Sequence, residues 1–157
     1  MNISSNTTSE PLPLSNLLCF AVYSANLAFG KAYKKVLDGL GLTYTQYITV
    51  IALRMERDPT VGSLGEKLFL GSNTLTPILK KLEVMGYVER QRDMADERVV
   101  RVRLTEGGHD LYEKAKGQIS RVMEATGLLP DEYAKLQMGI VAFRDSLVNT
   151  TRSERSR

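Results

Sequence analysis

The chain has no tryptophan, one cysteine and one histidine. A lone cysteine cannot close a disulfide within the chain, and with a single histidine it supplies too few ligands for zinc, so disulfide and metal frameworks are both excluded. The same shortage leaves no evident turnover machinery, which argues against an enzyme; no catalytic residue, metal ligand or cofactor is expected. Lysine and arginine are absent ahead of Lys31, so the apolar run from Leu17 lacks the charged flank of a signal peptide. Ser24 and Asn26 interrupt that run well short of a membrane span. These absences lead us to expect a protein of a reducing, cytoplasmic compartment with no membrane partner.

What is present suits one domain: 157 residues, 43% of them apolar, and a net charge of +3 that is compatible with a polyanionic partner. Apolar positions 14, 17, 18, 21, 25, 28, 29, 32, 36 and 40 keep helical spacing, so a long helix is expected over 14–40, punctuated by Gly39 and Gly41. A second helix is expected over 43–57, capped by Thr43 or Thr45, buried through Tyr47, Ile48, Ile51, Ala52 and Met55, and broken by Asp58-Pro59. Further on, Thr105 caps a helix that runs to about Thr126. Leu129-Pro130-Asp131 then restarts one to about Val148, with Tyr133, Leu136, Ile140, Phe143 and Leu147 on its face. His109 reads as a solvated or capping residue, and segments 1–13 and 149–157 as flexible tails. The apolar stripe on 14–40 exceeds what a small domain needs to attach a helix. Segments 14–40 and 105–148 are therefore expected to form a dimerisation platform within a single module spanning 14–148.

Between those flanks, residues 62–104 read as two short helices and a hairpin. In the first helix Leu64, Leu68 and Phe69 recur at helical spacing and Gly71 closes the segment. The second is expected from about Asn73 to Met85, with Leu75, Ile78, Leu79, Leu82 and Met85 on one stripe, Ser72 or Asn73 as cap, and Gly86 as the left-handed stop. Pro77 is placed near its first turn, where a missing N–H is tolerated. After Gly86 the period changes from helical to alternating, so Tyr87–Arg92 and Val99–Leu104 are expected to be hairpin strands with Val88, Val100, Val102 and Leu104 pointing inward. The fold class is thus mainly α (α+β): a winged helix-turn-helix.

In that arrangement the N-terminal part of the second helix meets base edges, and Ser72, Asn73, Thr74, Thr76 and Pro77 lie there. Lys80 and Lys81 are suited to phosphates. The loop Asp93-Met94-Ala95-Asp96-Glu97-Arg98 is ringed by Arg90, Arg92, Arg98, Arg101 and Arg103, and an arginine on a projecting loop suits a narrow minor groove. Glu89, Asp93, Asp96 and Glu97 would balance much of that charge if the hairpin were merely solvated. Helix, helix and basic hairpin nevertheless occur in the order a nucleic-acid reader requires. Two-fold protein symmetry would demand double-stranded DNA with an inverted repeat, its half-sites about one helical turn apart, roughly 34–36 Å.

Cys19 falls in the first two turns of the first helix, where unpaired N–H groups and the helix dipole favour a thiolate if the side chain is accessible. A single cysteine on an apolar helix is more often a small buried hydrophobe. Tyr33 lies fourteen residues on, near the same face but roughly 21 Å along the axis, so the two cannot touch within one straight helix. Two such helices crossing antiparallel in a two-fold dimer would bring the Tyr33 hydroxyl of one chain toward Cys19 of the other, with Tyr44 able to join it.

Leu18-Cys19-Phe20-Ala21-Val22-Tyr23-Ser24-Ala25-Asn26, Leu42-Thr43-Tyr44-Thr45-Gln46-Tyr47, Leu75-Thr76-Pro77-Ile78-Leu79-Lys80-Lys81-Leu82 and Asp96-Glu97-Arg98 closely resemble the organic-hydroperoxide-sensing regulators of the MarR family, over about residues 14–148. The cysteine-containing motif is the specific one; the reader and wing motifs are shared more widely among MarR proteins. The resemblance implies a bacterial homodimeric repressor in which Cys19 is the peroxide-sensing thiolate, hydrogen-bonded by Tyr33 and Tyr44 from the other chain, and in which oxidation releases DNA. It also implies that Arg98, beside Asp96, enters the minor groove. Members divide by whether a second cysteine resolves the sulfenic acid. This chain has none and resembles the one-cysteine branch, so the sequel is a mixed disulfide with a small thiol, a sulfenamide or overoxidation.

Two other readings stay open on the residues alone. One is a MarR-type repressor released by a small phenolic or anionic ligand, with Cys19 structural. The other, a thiol peroxidase, lacks the second thiol that turnover needs.

Overall fold

The computed structural model describes residues 12–155, and the parts of the expected tails outside that range lie beyond the described residues. They fall into two compact units, one running to Gln118 and the other starting at Ile119. Each is described by itself.

The first unit holds five helices and the hairpin: α1 (Leu18–Leu37), α2 (Tyr44–Met55), α3 (Val61–Leu68), α4 (Ser72–Val84), β1 (Val88–Arg92), β2 (Val100–Leu104) and the start of α5 (Glu106–Glu124). The long helix expected from Leu14 is shorter. Leu14–Asn16 forms a separate 3-10 turn, and Leu17 is extended (φ −88°, ψ 123°), so the α-helix begins at Leu18. Ser15 and Asn16 favour turns over helix interiors, which accounts for the break. At the other end Asp38–Leu40 is again 3-10, and Gly41 reverses the chain at φ 68°.

Helix α2 is started by a capping box. The Thr43 hydroxyl accepts from Gln46 N at 3.3 Å while Gln46 Oε1 accepts from Thr43 N at 2.8 Å, so two otherwise orphaned donors are satisfied reciprocally. Thr45, the other expected cap, is inside the helix. The helix stops at Met55, two residues before the expected end, because Glu56 turns extended and Asp58 takes a left-handed conformation.

Two boundaries in the reader region differ from expectation. Helix α3 ends at Phe69, which sits in the left-handed region at φ 56°, so Gly71 does not close it. Leu70 N then bonds back to Gly65 O at 2.9 Å. A Cβ on Gly65 would stand 2.8 Å from the Leu70 carbonyl oxygen, so this turn needs glycine there. Gly71 is instead the N-cap of α4; Ser72 is the first helical residue, and neither Ser72 nor Asn73 caps by its side chain. Pro77 consequently lies in the second turn, not the first, and the Asn73 carbonyl has no intrahelical N–H to accept. Gly86 does end the region, at φ 79°.

The hairpin pairs antiparallel with Val88 opposite Leu104 and Arg92 opposite Val100. Val88 and Val102 point inward and are buried with Leu64, Leu75, Leu79 and Leu82 in one core, to which Val50 and Leu53 of α2 and Leu111 and Ala115 of α5 belong. Each fully buried leucine contributes on the order of 2 kcal/mol of transfer free energy. Among the described residues the buried polar side chains are Gln46 and Thr49; Thr49 donates to Thr45 O at 2.8 Å. Thr105 caps α5 as expected, its hydroxyl accepting from Gly108 N at 3.1 Å. His109 is an exposed residue of that helix.

The second unit contains the end of α5 and α6 (Pro130–Arg155). Pro130 occupies the first helical position and the Leu129 N–H donates to Glu132 Oε2 at 2.9 Å. The helix passes the expected end at Val148 and takes in much of the expected tail. The Thr150 and Thr151 hydroxyls fold back onto the carbonyls of Ser146 (3.0 Å) and Val148 (2.9 Å), so these polar residues are satisfied inside a helix. Its apolar residues Tyr133, Leu136, Met138, Ile140, Phe143 and Leu147 are exposed in the single chain. No single helix among the described residues is long and apolar enough to cross a membrane.

Candidate nucleic-acid interface and thiol site

Helix α4 is fixed by three fully buried leucines, 75, 79 and 82, which turn its opposite face outward. Ser72, Asn73, Thr74, Pro77, Lys80 and Lys81 are exposed on it and Thr76 is half-buried. The first turn thus offers short donors and acceptors, while the two lysines, which have no acidic partner among the described residues, follow about two turns later. This is the division of labour that base readout and phosphate contact require.

The wing is held by its own acids. Arg90 alternates onto the inner face with Val88 and is only a quarter exposed, with its guanidinium on Glu83 of α4 (Nε to Oε2, 2.9 Å). Arg92 donates to the Glu97 carbonyl at 3.2 Å. At the tip, Asp93 accepts from Ala95 N at 2.8 Å and Asp96 from Arg98 N at 3.0 Å, so two carboxylates fold the loop. Asp96 also takes both prongs of the Arg98 guanidinium at 3.1 Å. That guanidinium remains 91% exposed, which makes Arg98 the oriented, outward-facing cation of the tip. Deeper down, Arg101 donates to Asp93 and to the Asp58 carbonyl, and Arg103 grips Asp58 at 2.7 and 2.8 Å. These partners hold Asp58, Glu83, Asp93 and Asp96 below the usual carboxylate range, through the side-chain hydrogen bond from arginine first in every case. Of the arginines expected to face DNA, Arg98 is free to do so, Arg92 is exposed but bonded, and Arg90 is engaged inside the protein. Sequence reasoning missed Asp58 and Glu83: Asp58-Pro59 reads as a helix breaker, and nothing local marks Glu83 as the partner of Arg90.

Between Thr60, the N-cap of α3, Val61 of that helix, Thr76 of α4 and Arg90, Arg98 and Val100 of the wing lies a cavity of about 400 Å³. Among the described residues no group of three or more His, Cys, Asp or Glu side chains is placed so that it could hold a metal ion.

The thiol lies elsewhere. Cys19 is the second residue of α1 and is exposed. It is not the buried hydrophobe that a lone cysteine usually is. Tyr33 is buried at 6% exposure near the other end of the same helix, and its ring stands 5.0 Å from that of Tyr44, edge to face. Phe29 packs at 4.6 Å from Tyr33 and Tyr47 at 6.4 Å, so four aromatic rings gather where α1 meets the start of α2. Burial pushes the Tyr47 phenol up to about 12, with the neighbouring Tyr33, Tyr112 and Tyr44 adding to it. The two tyrosines named from the sequence are therefore brought together, and Cys19 is not brought to them. Cys19 and Tyr33 stand fourteen residues apart on one unbroken helix, roughly 21 Å along its axis. Along that helix Leu18, Val22, Tyr23 and Leu27 are each about half exposed or more, an apolar stripe left open to solvent among the described residues.

A family model described as transcriptional regulator SarA/Rot matches residues 31–115. The chain is 43% identical over 138 residues to the HTH-type transcriptional regulator TtmR of Methylorubrum extorquens, covering 88% of this chain and 71% of that one. It is 44% identical over 106 residues to the organic hydroperoxide resistance transcriptional regulator of Bacillus subtilis, covering 68% and 72%. Among solved structures it is similar to reduced AbfR bound to DNA, with a TM-score of 0.76 at 34% identity over 87% of this chain and 94% of that one.

Proposed function

Because the chain belongs to the SarA/Rot family of MarR-like winged-helix transcriptional regulators, we propose that it acts as a homodimeric repressor that releases its operator when an organic hydroperoxide oxidises Cys19. It is a DNA-binding regulator of the MarR/SarA type and not an enzyme. The redox reading rests on one observation above all: an exposed thiol and a paired Tyr33–Tyr44 site stand at opposite ends of one uncovered apolar helix. A second copy of α1 crossing antiparallel covers the stripe and sets each Cys19 against Tyr33 of the partner subunit and Tyr44 of the partner subunit. Such a pairing makes two equivalent sites per dimer.

The chemistry follows from that arrangement. The Cys19 sulfur attacks the terminal oxygen of the hydroperoxide; an S–O bond forms as the O–O bond breaks, and the departing alkoxide takes up a proton to leave as an alcohol. Sulfur is oxidised by two electrons to the sulfenic acid and the peroxide is reduced. The added oxygen stands in a packed seam and the phenols lose a thiolate acceptor, so the two copies of α1 must shift against one another. Each reader module is joined to that helix through α2, whose first residue is Tyr44. A shift at the seam thus changes the spacing of the two α4 helices on the inverted repeat. With no second cysteine in the chain, the sulfenic acid proceeds to a mixed disulfide with a small thiol, a sulfenamide or overoxidation.

The test is release of bound DNA by cumene hydroperoxide, with wild type beside Cys19→Ser. The variant should bind DNA as wild type does and stay bound under peroxide. Wild-type-like release by Cys19→Ser would refute the sensor reading. It would promote release by a small phenolic or anionic ligand, for which the cavity beside Arg98 is the candidate site. Glu83 already holds the Arg90 guanidinium at that cavity, which leaves less cationic character for such a ligand and favours the redox reading.

A further inference from the structure

We infer that Asp58 is a positioning residue that locks the wing to the end of α2 and so sets where Arg98 meets DNA. The inference rests on the reading of the wing as a DNA contact. A two-stranded hairpin is marginally stable by itself and free to swing about its base. Here it is not left to itself. Pro59 O accepts from Val102 N at 3.0 Å and Thr60 forms an isolated bridge with Arg101, so the linker after α2 is tied to β2 at two adjacent residues. Asp58 opens that linker in a left-handed conformation, φ 53°, which few residues other than glycine adopt and which aspartate tolerates. The conformation turns its carbonyl to Arg101 at 3.0 Å and its carboxylate to both prongs of Arg103. Arg101 in turn donates to Asp93, whose other oxygen accepts from Ala95 N at the tip. Alternating charges, Arg103, Asp58, Arg101 and Asp93, therefore run from the base of the hairpin to its end. Arg98 is fixed within the tip by Asp96 alone, so its position in space follows the hairpin as a whole.

The lock makes a prediction opposite in sign to plain electrostatics. Asp58→Asn removes a negative charge from the side of the protein that faces a polyanion and loosens two arginines. Charge alone would therefore tighten DNA binding. If Asp58 positions the wing, binding weakens, by about 5-fold if the coupling is at the low end of the usual range. Asparagine keeps the left-handed backbone, and Asp58→Gly, which also fits φ 53°, serves as the second variant. Affinity is read by fluorescence anisotropy on a duplex selected by the wild-type chain from a random pool, under reducing conditions, for wild type, Asp58→Asn, Asp58→Gly, Arg98→Ala and the Asp58→Asn/Arg98→Ala pair. The expected result is weaker binding by each single variant, each still folded at the assay temperature, and no further loss on adding Asp58→Asn to Arg98→Ala. Unchanged or tighter binding by Asp58→Asn and Asp58→Gly, with Arg98→Ala still weak, would overturn the lock alone. Additive losses in the pair would also overturn it, since Asp58 would then act on something other than Arg98. Wild-type binding by Arg98→Ala would instead overturn the reading of the wing, and the lock with it.

Discussion

If α6 carries part of the dimer interface, truncating one of its uncovered side chains should separate the subunits by a calculable amount. Ile140 is 59% exposed in the single chain and belongs to the apolar face that holds Leu136, Phe143 and Leu147. Changing it to alanine removes three carbons, worth about 2.4 kcal/mol if fully buried at about 0.8 kcal/mol each. Only the exposed 59% remains for a partner to cover, which leaves about 1.4 kcal/mol per copy. Two-fold symmetry doubles this to about 2.8 kcal/mol, a roughly 100-fold weaker dimer. Alanine is also the better helix former, but that gain is present in monomer and dimer alike and cancels from the dissociation constant. Sedimentation equilibrium across a concentration series measures the constant directly, and Lys135→Ala, at an exposed i,i+4 pair with Asp131, provides the control. An Ile140→Ala dimer as tight as wild type would refute the argument that the exposed face of α6 is covered by a second copy. A wild-type chain that sediments as a monomer at micromolar concentration would refute the dimer itself.

Arg98→Ala should weaken binding to many duplexes alike, whereas Thr76→Val on α4 should change the ranking of duplexes while leaving binding to unselected DNA nearly unaltered; a binding screen over a randomised pool separates the two effects. Acid should undo the wing from its carboxylates. Asp58, Asp93 and Asp96 are held below the ordinary aspartate value of 3.8 and Glu83 below 4.5, so their stabilisation is complete above those values and is lost as the pH falls through the lowered ones. Amide shifts of Ala95 and Arg98 followed by NMR should hold steady down to about pH 4 and move only below it; movement between pH 5 and 6 would contradict the ion pairing.

The sequence was most legible where the determinants are neighbours in the chain. Thr43 with Gln46, Thr105 with Gly108, and Gly86 after an amphipathic stripe each signal a helix end through groups within a few residues, and each is found in the structure. The wing was legible because the hydrophobic period changes once, after Gly86. Phe69 was not, since an aromatic residue is a poor guess for a left-handed stop when Gly71 stands two positions later. The extent of α6 was hidden for a related reason. Threonines read as a fraying tail, yet their hydroxyls are satisfied within the helix. The Arg103–Asp58 pair spans 45 residues and leaves no local pattern at all. At the thiol, helical geometry predicted that Cys19 and Tyr33 stand apart in one chain, as they do; that Tyr44 can join Tyr33 was an open option on the residues, because it depends on how α1 folds back on α2, and the two rings are found 5.0 Å apart.

The arginines of the wing also bear on how the protein responds to ionic strength. Counting Lys80, Lys81 and the five arginines around the hairpin would give about fourteen cations per dimer and a slope of log affinity against log salt near −13. Arg90, Arg101 and Arg103 are already neutralised by Glu83, Asp93 and Asp58, and displace no counterions from DNA. Arg98 is paired too, with Asp96, but its side chain is 91% exposed and a surface pair of that kind exchanges readily for a phosphate, so what remains is about eight cations for two copies of the chain and a slope near −7. A regulator built this way keeps its grip across a wider range of ionic strength than its arginine content suggests, because nearly half of that positive charge is engaged by carboxylates of the protein itself to hold a shape.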